Sequence, residues 1–380
     1  MIVLDRKGMN DMFNRYYSLK RILSKNADYN IIIGERSNGK TYATLLYALK
    51  QYINNGGQFA YLRRWSDDVR GKRASQIFSS LNTNGEIYKL TNGEYSVINY
   101  SNGKFYLSNY DEKLKKYINA PSECGYTFSL TSMEHDKSNS YPSINTVIFD
   151  EFLTRRFYVP DEFILFMNVL STIIRHRDNV KIFMLGNTVN KYCPYFKEMG
   201  LTKIKDMKQN TIDVYNYGDS SLTVAVEYCG TSFIKGSNKY FAFNNPKLKM
   251  ITGGTWEIDI YPHLPYKYTP KNILFTYFIK FNGDILQCEI IQKNDELFTY
   301  IHQKTTPIKD ENKDLIFSLE YSPRGNVITN IRKPTNKLES KIWYFFAKNK
   351  VFYQDNSIGE IVRNYLIECS RVDNYFTTLL

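Results

Sequence analysis

The 380-residue chain is poor in the residues that build disulfide frameworks and metal sites. It contains five cysteines and four histidines. The cysteines are scattered, odd in number and without CxxC spacing, and the histidines do not cluster. This pattern excludes a disulfide-stapled fold and a cysteine–histidine zinc site, and it is typical of a protein in a reducing cytoplasm.

Long apolar segments are also missing. The N-terminus, MIVLDRKGMNDMF, carries acidic residues early and has no apolar core, so no signal peptide is predicted, and no stretch is long enough to span a membrane. Helix-turn-helix and zinc-finger patterns, internal repeats and low-complexity tracts are absent as well. Any contact with nucleic acid is therefore expected to lack sequence specificity.

Positive charge and aromatic residues are what the chain has in excess. Lysine and arginine number 50 against 38 acidic residues, a net charge of +12, and there are 32 Tyr and 24 Phe. The charge indicates an anionic partner, most often nucleic acid, although solubility alone is the alternative. Basic groups at Arg63–Arg64, Arg70–Arg73 and Lys113–Lys116 are candidates for tracking a phosphate backbone, or are simply solvated faces.

The first half of the chain alternates strand-like and helix-like segments. A buried strand is predicted over 29–33, a helix over 41–53 that ends at Asn54–Gly57, and a strand in QFAYLRR. Two hairpins follow with Asn-Gly turns at Asn92 and Asn102, and then the strand INTVIFDE, a helix over 161–174 and the strand NVKIFMLGN. This alternation predicts an α/β domain with a largely parallel sheet over 1–206.

The pattern changes near residue 205. Residues 207–230 are interpreted as a linker, and residues 231–380 as an α+β domain with short β-like runs. A hairpin is expected around Asn282-Gly283, and a helix in SIGEIVRNYLIECS near the end.

The segment GERSNGKT, from Gly34 to Thr41, satisfies the pattern GxxxxGK[ST] between a predicted strand and a helix. Its glycines, Gly34 and Gly39, let backbone N–H groups turn inward and form an anion nest at a helix N-terminus. Lys40 adds a point charge for the β- and γ-phosphates, and the Thr41 hydroxyl is a hard oxygen ligand for Mg²⁺. The expected nucleotide-binding residues are Gly34, Glu35, Arg36, Ser37, Asn38, Gly39, Lys40, Thr41 and Asp150.

Asp150 and Glu151 follow the apolar strand INTVIF. The carboxyl end of a strand in a parallel sheet faces the ligand crevice. Asp150 is therefore expected to hold Mg²⁺ together with Thr41, and Glu151 to activate the attacking water. The alternative is a solvated strand end. A water-activating acid favours a hydrolase over a kinase.

Two further segments carry polar candidates. Asn187 ends the strand KIFMLGN, where it would sense the γ-phosphate or the lytic water, unless Gly-Asn is only a turn. Arg175 and Arg177 lie between a helix and that strand, a position that in a ring assembly can lie at the subunit boundary, where an arginine can reach the neighbour's γ-phosphate. A solvated basic face is the alternative reading of these two arginines.

These segments together resemble the DNA encapsidation ATPases of small podoviruses, phages with short protein-capped genomes. The resemblance rests on the phosphate loop, GQFAYLRRW, DKSNSYPSINTVIFDEF and LSTIIRHRDNVKIFMLGNTVNKYCPYF. It is specific over about residues 15–200 and looser beyond. It implies a P-loop (ASCE-type) ATPase domain with a parallel central sheet, followed by an α+β, RNase H-like domain that is a vestigial nuclease.

The resemblance also implies a function and roles for residues. Family members use ATP and Mg²⁺ to pump double-stranded DNA into a preformed procapsid, as a ring, usually five-fold, docked at the portal vertex in the host cytoplasm; in one branch a structural prohead RNA mediates the docking. By position, Glu151 matches the catalytic base, Arg175 the arginine finger, Lys137 a lysine that reaches a neighbour's nucleotide, and Asn187 the sensor. No nuclease activity is expected. A nucleotide-gated DNA-binding scaffold without turnover and a P-loop kinase are the alternatives.

Overall fold

The computed structural model describes residues 17–132, 140–154, 158–159, 161–187, 193–230, 261–265, 267–293 and 296–377. The chain divides into two units, residues 1–189 with 193–256, and residues 190–192 with 257–380. Among the described residues, no helix is long and apolar enough to cross a membrane.

The first unit is built on a sheet of nine strands within the described residues. Its strands are β1 (Tyr29–Gly34), β2 (Gln58–Arg63), β3 (Val97–Ser101), β4 (Lys104–Asp111), β5 (Lys116–Ser129), β6 (Ile144–Asp150), β7 (Lys181–Asn187), β8 (Thr211–Asn216) and β9 (Thr223–Tyr228). They lie in the order β3-β4-β5-β2-β6-β7-β1-β9-β8. The neighbouring strands β5, β2, β6, β7, β1 and β9 are parallel to one another. The predicted parallel sheet is therefore confirmed.

The helices of this unit are α1 (Lys20–Leu23), α2 (Lys40–Asn55), α3 (Gly71–Ser75), α4 (Ser79–Thr83), α5 (Glu86–Leu90), α6 (Glu162–Ile174) and α7 (Pro194–Glu198). Buried side chains on both faces of the sheet form two cores. Strand β1 contributes to both, because alternate residues of a strand point to opposite faces: Ile31 and Ile33 join one core and Ile32 the other.

The helices predicted over 41–53 and 161–174 are confirmed as α2 and α6. Helix α2 ends at Gly56, whose φ of 73° lies in the left-handed region that glycine adopts at helix ends. The predicted hairpin at Asn92 is wrong, since α5 occupies 86–90 and Asn92 lies in the turn after it. The hairpin turn at Asn102-Gly103 is confirmed between β3 and β4.

The predicted linker over 207–230 is also wrong, because those residues contain β8 and β9. Strand β9 pairs in parallel with β1, and the Cys229 N–H donates to the Ile33 carbonyl at 2.7 Å. Five of the six residues of β9 are buried. The strand lies between β1 and β8 inside the first sheet, where both of its faces are covered.

The second unit has a six-stranded sheet within its described residues. Strands β10 (Ile273–Phe281), β11 (Asp284–Lys293) and β12 (Glu296–Gln303) are antiparallel, and β13 (Ile316–Ser318) and β14 (Val327–Ile328) continue in parallel beside β10. Strand β15 (Val351–Tyr353) closes the other edge beside β12. Helices α8 (Lys337–Ala347) and α9 (Asn356–Thr377) cover one face. The Asn282-Gly283 hairpin and the final helix are confirmed.

Candidate nucleotide-binding site

The loop from Gly34 to Thr41 joins β1 to α2 at the carboxyl edge of the parallel strands. Ser37 and Gly39 both have positive φ, 61° and 94°, which turns the chain sharply before the helix begins. Gly34 lies against β9, and a Cβ at this position would be 2.8 Å from the Cβ of Cys229. Glycine is required there because the loop and the neighbouring strand approach so closely.

The polar interior of the loop holds Lys40 in place. The Lys40 ammonium donates to the Glu35 carbonyl at 2.6 Å and to Asn38 Oδ1 at 3.2 Å, and the Lys40 N–H donates to the same Asn38 oxygen at 3.2 Å. Glu35 and Asn38 are buried, whereas Arg36 and Ser37 are exposed. Burial lowers the pKa of the Lys40 ammonium below its usual 10.5, although nearby acidic groups oppose this shift.

Strand order brings Asn187 to the same lysine. Strand β7 lies between β1 and β6, and its last residue, Asn187, is paired in register with Gly34. The Asn187 Oδ1 accepts a hydrogen bond from the Lys40 ammonium at 3.3 Å. A carbonyl-type oxygen is thus held close to the position where the phosphate-binding lysine would meet its anion.

Asp150 lies at the end of β6 and faces the first turn of α2. Its carboxylate accepts from the Thr41 hydroxyl at 3.1 Å and 3.3 Å, and from the Tyr61 hydroxyl at 2.8 Å. The Glu151 N–H donates to it at 3.0 Å. Thr41 and Asp150 together present hydroxyl and carboxylate oxygens, which are the ligands that Mg²⁺ prefers, so this donor set fits a magnesium ion.

Glu151 leaves the strand in the left-handed region, with φ of 59°. This backbone turns its side chain away from the core, where it is 57% exposed. One carboxylate oxygen lies 2.6 Å from the Arg63 guanidinium at the end of β2, which also faces Asp68 at 3.7 Å. The carboxylate is held by an ion pair and is accessible to solvent.

Arg63 and Arg64 were candidates for contact with a phosphate backbone, and for Arg64 that reading is wrong. Arg64 is 5% exposed and forms a bidentate ion pair with Glu162. Arg63 pairs with Glu151. Arg63 ends β2 and Arg64 follows it directly, so their charges are paired with Glu151, which follows β6, and with Glu162, the first residue of α6.

The two arginines after α6 differ in their surroundings. The Arg177 guanidinium donates to the carbonyls of Tyr141, Pro142 and Ile173 at 3.1, 3.0 and 2.7 Å, so it fastens the end of α6 to the segment before β6. Arg175 is exposed and has a φ of 53° directly after the helix. These contacts give Arg177 a structural role.

The topology separates Arg175 from the loop of its own chain. Arg175 precedes the first residue of β7, whereas the loop lies at the carboxyl end of the parallel strand β1. A strand of seven residues is roughly 20 Å long at about 3.3 Å per residue. Arg175 and Lys40 therefore lie at opposite ends of the parallel strands. Lys137 falls outside the described residues.

Sequence patterns alone did not identify the contributions of Tyr61 and Arg63. These residues alternate along β2, so they share one face, and the pairing of Leu62 with Phe149 brings that strand end beside Asp150 and Glu151. The segment YLRR contains both residues, but their contact with Asp150 and Glu151 can be predicted only when β2 is known to neighbour β6.

In the second unit, Glu289 is a buried acidic residue whose carboxylate is engaged by its neighbours. Glu289 accepts from Tyr268 at 2.5 Å and from Gln287 at 2.7 Å, and it lies 3.5 Å from His302. Among the residues that the structure describes, no group of three His, Cys, Asp or Glu side chains is arranged to hold a metal ion.

A phosphate loop on β1, acids at the end of β6 and one strand between them carrying Asn187 define the P-loop fold of the ASCE type. Residues 12–228 match the family described as Podovirus DNA encapsidation protein (Gp16), and the chain belongs to that family.

Two curated relatives show the range of sequence similarity. The DNA packaging protein of Bacillus phage phi29 is 28% identical over 201 residues, which is 52% of this chain and 54% of the relative. The DNA packaging protein of Bacillus phage B103 is 31% identical over 183 residues, 47% of this chain and 50% of the relative. The chain spans about half the length of the curated relatives it matches.

Solved structures extend the likeness in fold over most of the chain. A chain of the bacteriophage Phi-29 viral genome packaging motor assembly aligns with a TM-score of 0.63 at 19% identity, covering 93% of this chain and 99% of its own. The Phi-28 gp11 DNA packaging motor aligns with a TM-score of 0.56 at 17% identity, covering 93% and 98%. Both units are included in alignments of this extent, so the two-unit architecture is shared.

Proposed function

We propose that this chain is the ATP-hydrolysing motor that translocates double-stranded viral DNA into a preformed procapsid. The observation that carries the proposal is the accessible Glu151 carboxylate beside Asp150, on the edge of the sheet that bears the Lys40 loop. A kinase that passes phosphate to a small molecule has no need of an acid placed to activate water. Membership of the encapsidation family supports DNA as the cargo.

ATP is the substrate of the proposed site. Backbone N–H groups of the loop from Gly34 to Gly39 cradle its phosphates, and the Lys40 ammonium moves from its contacts with Glu35, Asn38 and Asn187 to the β- and γ-phosphates. Thr41 and Asp150 hold Mg²⁺, which supplies charge neutralisation at the phosphates.

Glu151 is the proposed general base. Its carboxylate takes a proton from the attacking water, and Asn187 senses the γ-phosphate or orients that water. Arg63 holds the carboxylate at 2.6 Å, so the base must leave this ion pair, or share it, before it engages water. Because Arg63 ends β2, a movement of the segment that follows β2 would change this ion pair and therefore the rate of hydrolysis.

The site is proposed to be completed by a neighbouring subunit. Arg175 and Lys40 lie at opposite ends of the parallel strands, which supports action of Arg175 in trans on another subunit's nucleotide. Lys137 is proposed to reach the neighbour as well. Such a site requires a ring homo-oligomer, and a pentamer is the expected form.

The remaining partners follow from charge and family. The net charge of +12 suits a long polyanion, and the proposed docking point is the portal vertex of the procapsid in the host cytoplasm, through a prohead RNA if this chain follows that branch of the family. The second unit is proposed to bind DNA or these partners without nuclease activity.

Rates of ATP hydrolysis and DNA packaging of wild type, Glu151→Gln and Lys40→Ala test the proposal. We expect both variants to lose both activities, with Glu151→Gln retaining nucleotide affinity and Lys40→Ala losing it. The matched control is Glu94→Gln, at an exposed position between α5 and β3, which should leave both rates unchanged.

The outcome also separates the alternatives. Wild-type turnover by Glu151→Gln would refute the assignment of the base. Binding of ATP by the wild type without release of phosphate would identify a nucleotide-gated scaffold. Transfer of phosphate to a small acceptor would identify a kinase.

A further inference from the structure

Arg64 and Glu162 form a buried ion pair behind the acidic pair of the candidate site. Their side chains are 6% and 0% exposed, and the guanidinium meets the carboxylate in two bonds of 2.7 and 2.8 Å. Glu162 also accepts from the Val159 N–H at 2.7 Å and from the Tyr195 hydroxyl at 2.8 Å. Every oxygen of this carboxylate is therefore engaged, as a buried charge requires.

The remaining N–H groups of Arg64 bind the backbone of Glu151 and Phe152, which sets the orientation of the Glu151 side chain. They donate to the Phe152 carbonyl at 2.6 Å and to the Glu151 carbonyl at 3.2 Å. Glu151 has a positive φ, an uncommon conformation for a residue with a Cβ, which contacts from the surrounding structure can enforce. The two bonds from Arg64 supply such enforcement, because they fix both carbonyls that follow the turn.

Glu162 is at the same time the first residue of α6, which ends directly before Arg175. The 13 residues of this helix span about 20 Å at about 1.5 Å per residue. Phe166 is fully buried against Phe149 and Tyr195, with ring centroids 5.1 and 5.7 Å apart, and Arg177 fastens the far end. The helix is therefore held at its start, in its middle and at its end.

We propose that Arg64 and Glu162 are positioning residues that join the Glu151 turn to helix α6. A single rigid element then fixes the position of the base in one subunit's site and the position of Arg175, which acts on the site of the neighbouring subunit. This inference rests on the proposed function, in which Glu151 activates water and Arg175 acts in trans. A shift of the Glu151 backbone pulls on Arg64 and Glu162, and the helix carries the shift to Arg175. Hydrolysis in one subunit is thereby linked to the readiness of its neighbour.

The first test replaces the ion pair by apolar residues, Arg64→Met with Glu162→Leu, since such exchanges of buried pairs often preserve the fold. We expect kcat for ATP hydrolysis to fall on the order of 10- to 100-fold, as displaced catalytic groups cause. The affinity for a non-hydrolysable ATP analogue should stay within about twofold, because Lys40 and Thr41 are untouched.

Two matched variants keep this test decisive. Lys89→Met with Glu86→Leu removes an ion pair of 3.1 Å on helix α5, which contributes no residue to the candidate site, and should leave kcat unchanged. Tyr195→Phe removes only one hydrogen bond to Glu162 and should give a smaller fall in kcat with the same analogue affinity. An unchanged kcat in the apolar double variant, or in Tyr195→Phe should the double variant not fold, overturns the positioning role.

The second test addresses the link to the neighbour. Subunits with Arg175→Ala keep the base, and subunits with Glu151→Gln keep the arginine, so mixing them should restore hydrolysis at mixed boundaries. We expect less restoration when the Glu151→Gln subunit also carries Arg64→Met and Glu162→Leu. Equal restoration overturns the link through α6. If the simple mixture restores no hydrolysis, Arg175 does not act in trans, and the link through α6 is overturned as well. The measurement of kcat in the apolar double variant still decides whether Arg64 and Glu162 position Glu151.

Discussion

Substitution of Tyr61 by phenylalanine should weaken both the fold of the first unit and its use of magnesium. The Tyr61 hydroxyl donates to Asp150 at 2.8 Å, and both side chains are buried. A hydrogen bond to a charged group contributes about 1.5–3 kcal/mol. Thr41 also donates to this carboxylate oxygen, at 3.1 Å, so the oxygen is not orphaned and we expect a loss near the lower end, about 1.5–2 kcal/mol.

Thermal unfolding of the first unit measures this loss. For a unit of this size, about 1 kcal/mol corresponds to roughly 2–4 °C, so Tm should fall by roughly 3–8 °C. Tyr100→Phe is the matched control, because its hydroxyl donates to the neutral carbonyl of Val69 at 2.9 Å. Its loss should be smaller, about 0.5–1.5 kcal/mol.

Titration of ATPase activity with Mg²⁺ provides the functional measurement. Removal of a partner that orients a metal ligand typically costs about 10- to 100-fold in metal affinity, so half-maximal activity of Tyr61→Phe should require about tenfold more Mg²⁺. The reasoning is refuted if Tyr61→Phe is as stable as wild type, or no less stable than Tyr100→Phe. An unchanged magnesium requirement with lowered stability would refute only the role of Asp150 as a ligand.

Three further predictions concern the rest of the molecule. Arg175→Ala should lower kcat by about 10³-fold or more while nucleotide binding persists, measured as ATPase rate against protein concentration. The hydrogen bond that His302 donates to the Glu289 carboxylate raises the pKa of His302 above its usual 6.5, so this pair stabilises the second unit fully below pH 6.5 and the stabilisation is lost as pH rises through the raised pKa. His302→Gln should flatten that pH dependence in denaturant titrations. All five cysteines are buried, and burial raises the pKa of Cys193 and Cys229 to about 12, so a thiol reagent should label the native protein slowly and the unfolded protein fully.

Local signals were sufficient for the elements that make up the candidate site. The loop from Gly34 to Thr41, the apolar strand before Asp150 and the helix over 161–174 are confirmed in place, because glycine turns and apolar periodicity act over a few residues. Residues 84–93 were misread, since an Asn-Gly pair occurs in helix-ending turns as well as in hairpins. The assignment of 207–230 failed because nothing local says which sheet a short strand joins.

The sequence by itself determined which chemical groups the site contains and the class of fold that presents them. Tertiary structure decided which of those groups meet. Arg63 reaches Glu151 across 88 positions of sequence, and Lys40 reaches Asn187 across 147, only because β6 and β7 lie between β2 and β1. Such contacts depend on strand order, which is set by the burial of whole elements against one another, whereas a motif depends only on backbone geometry within a few residues.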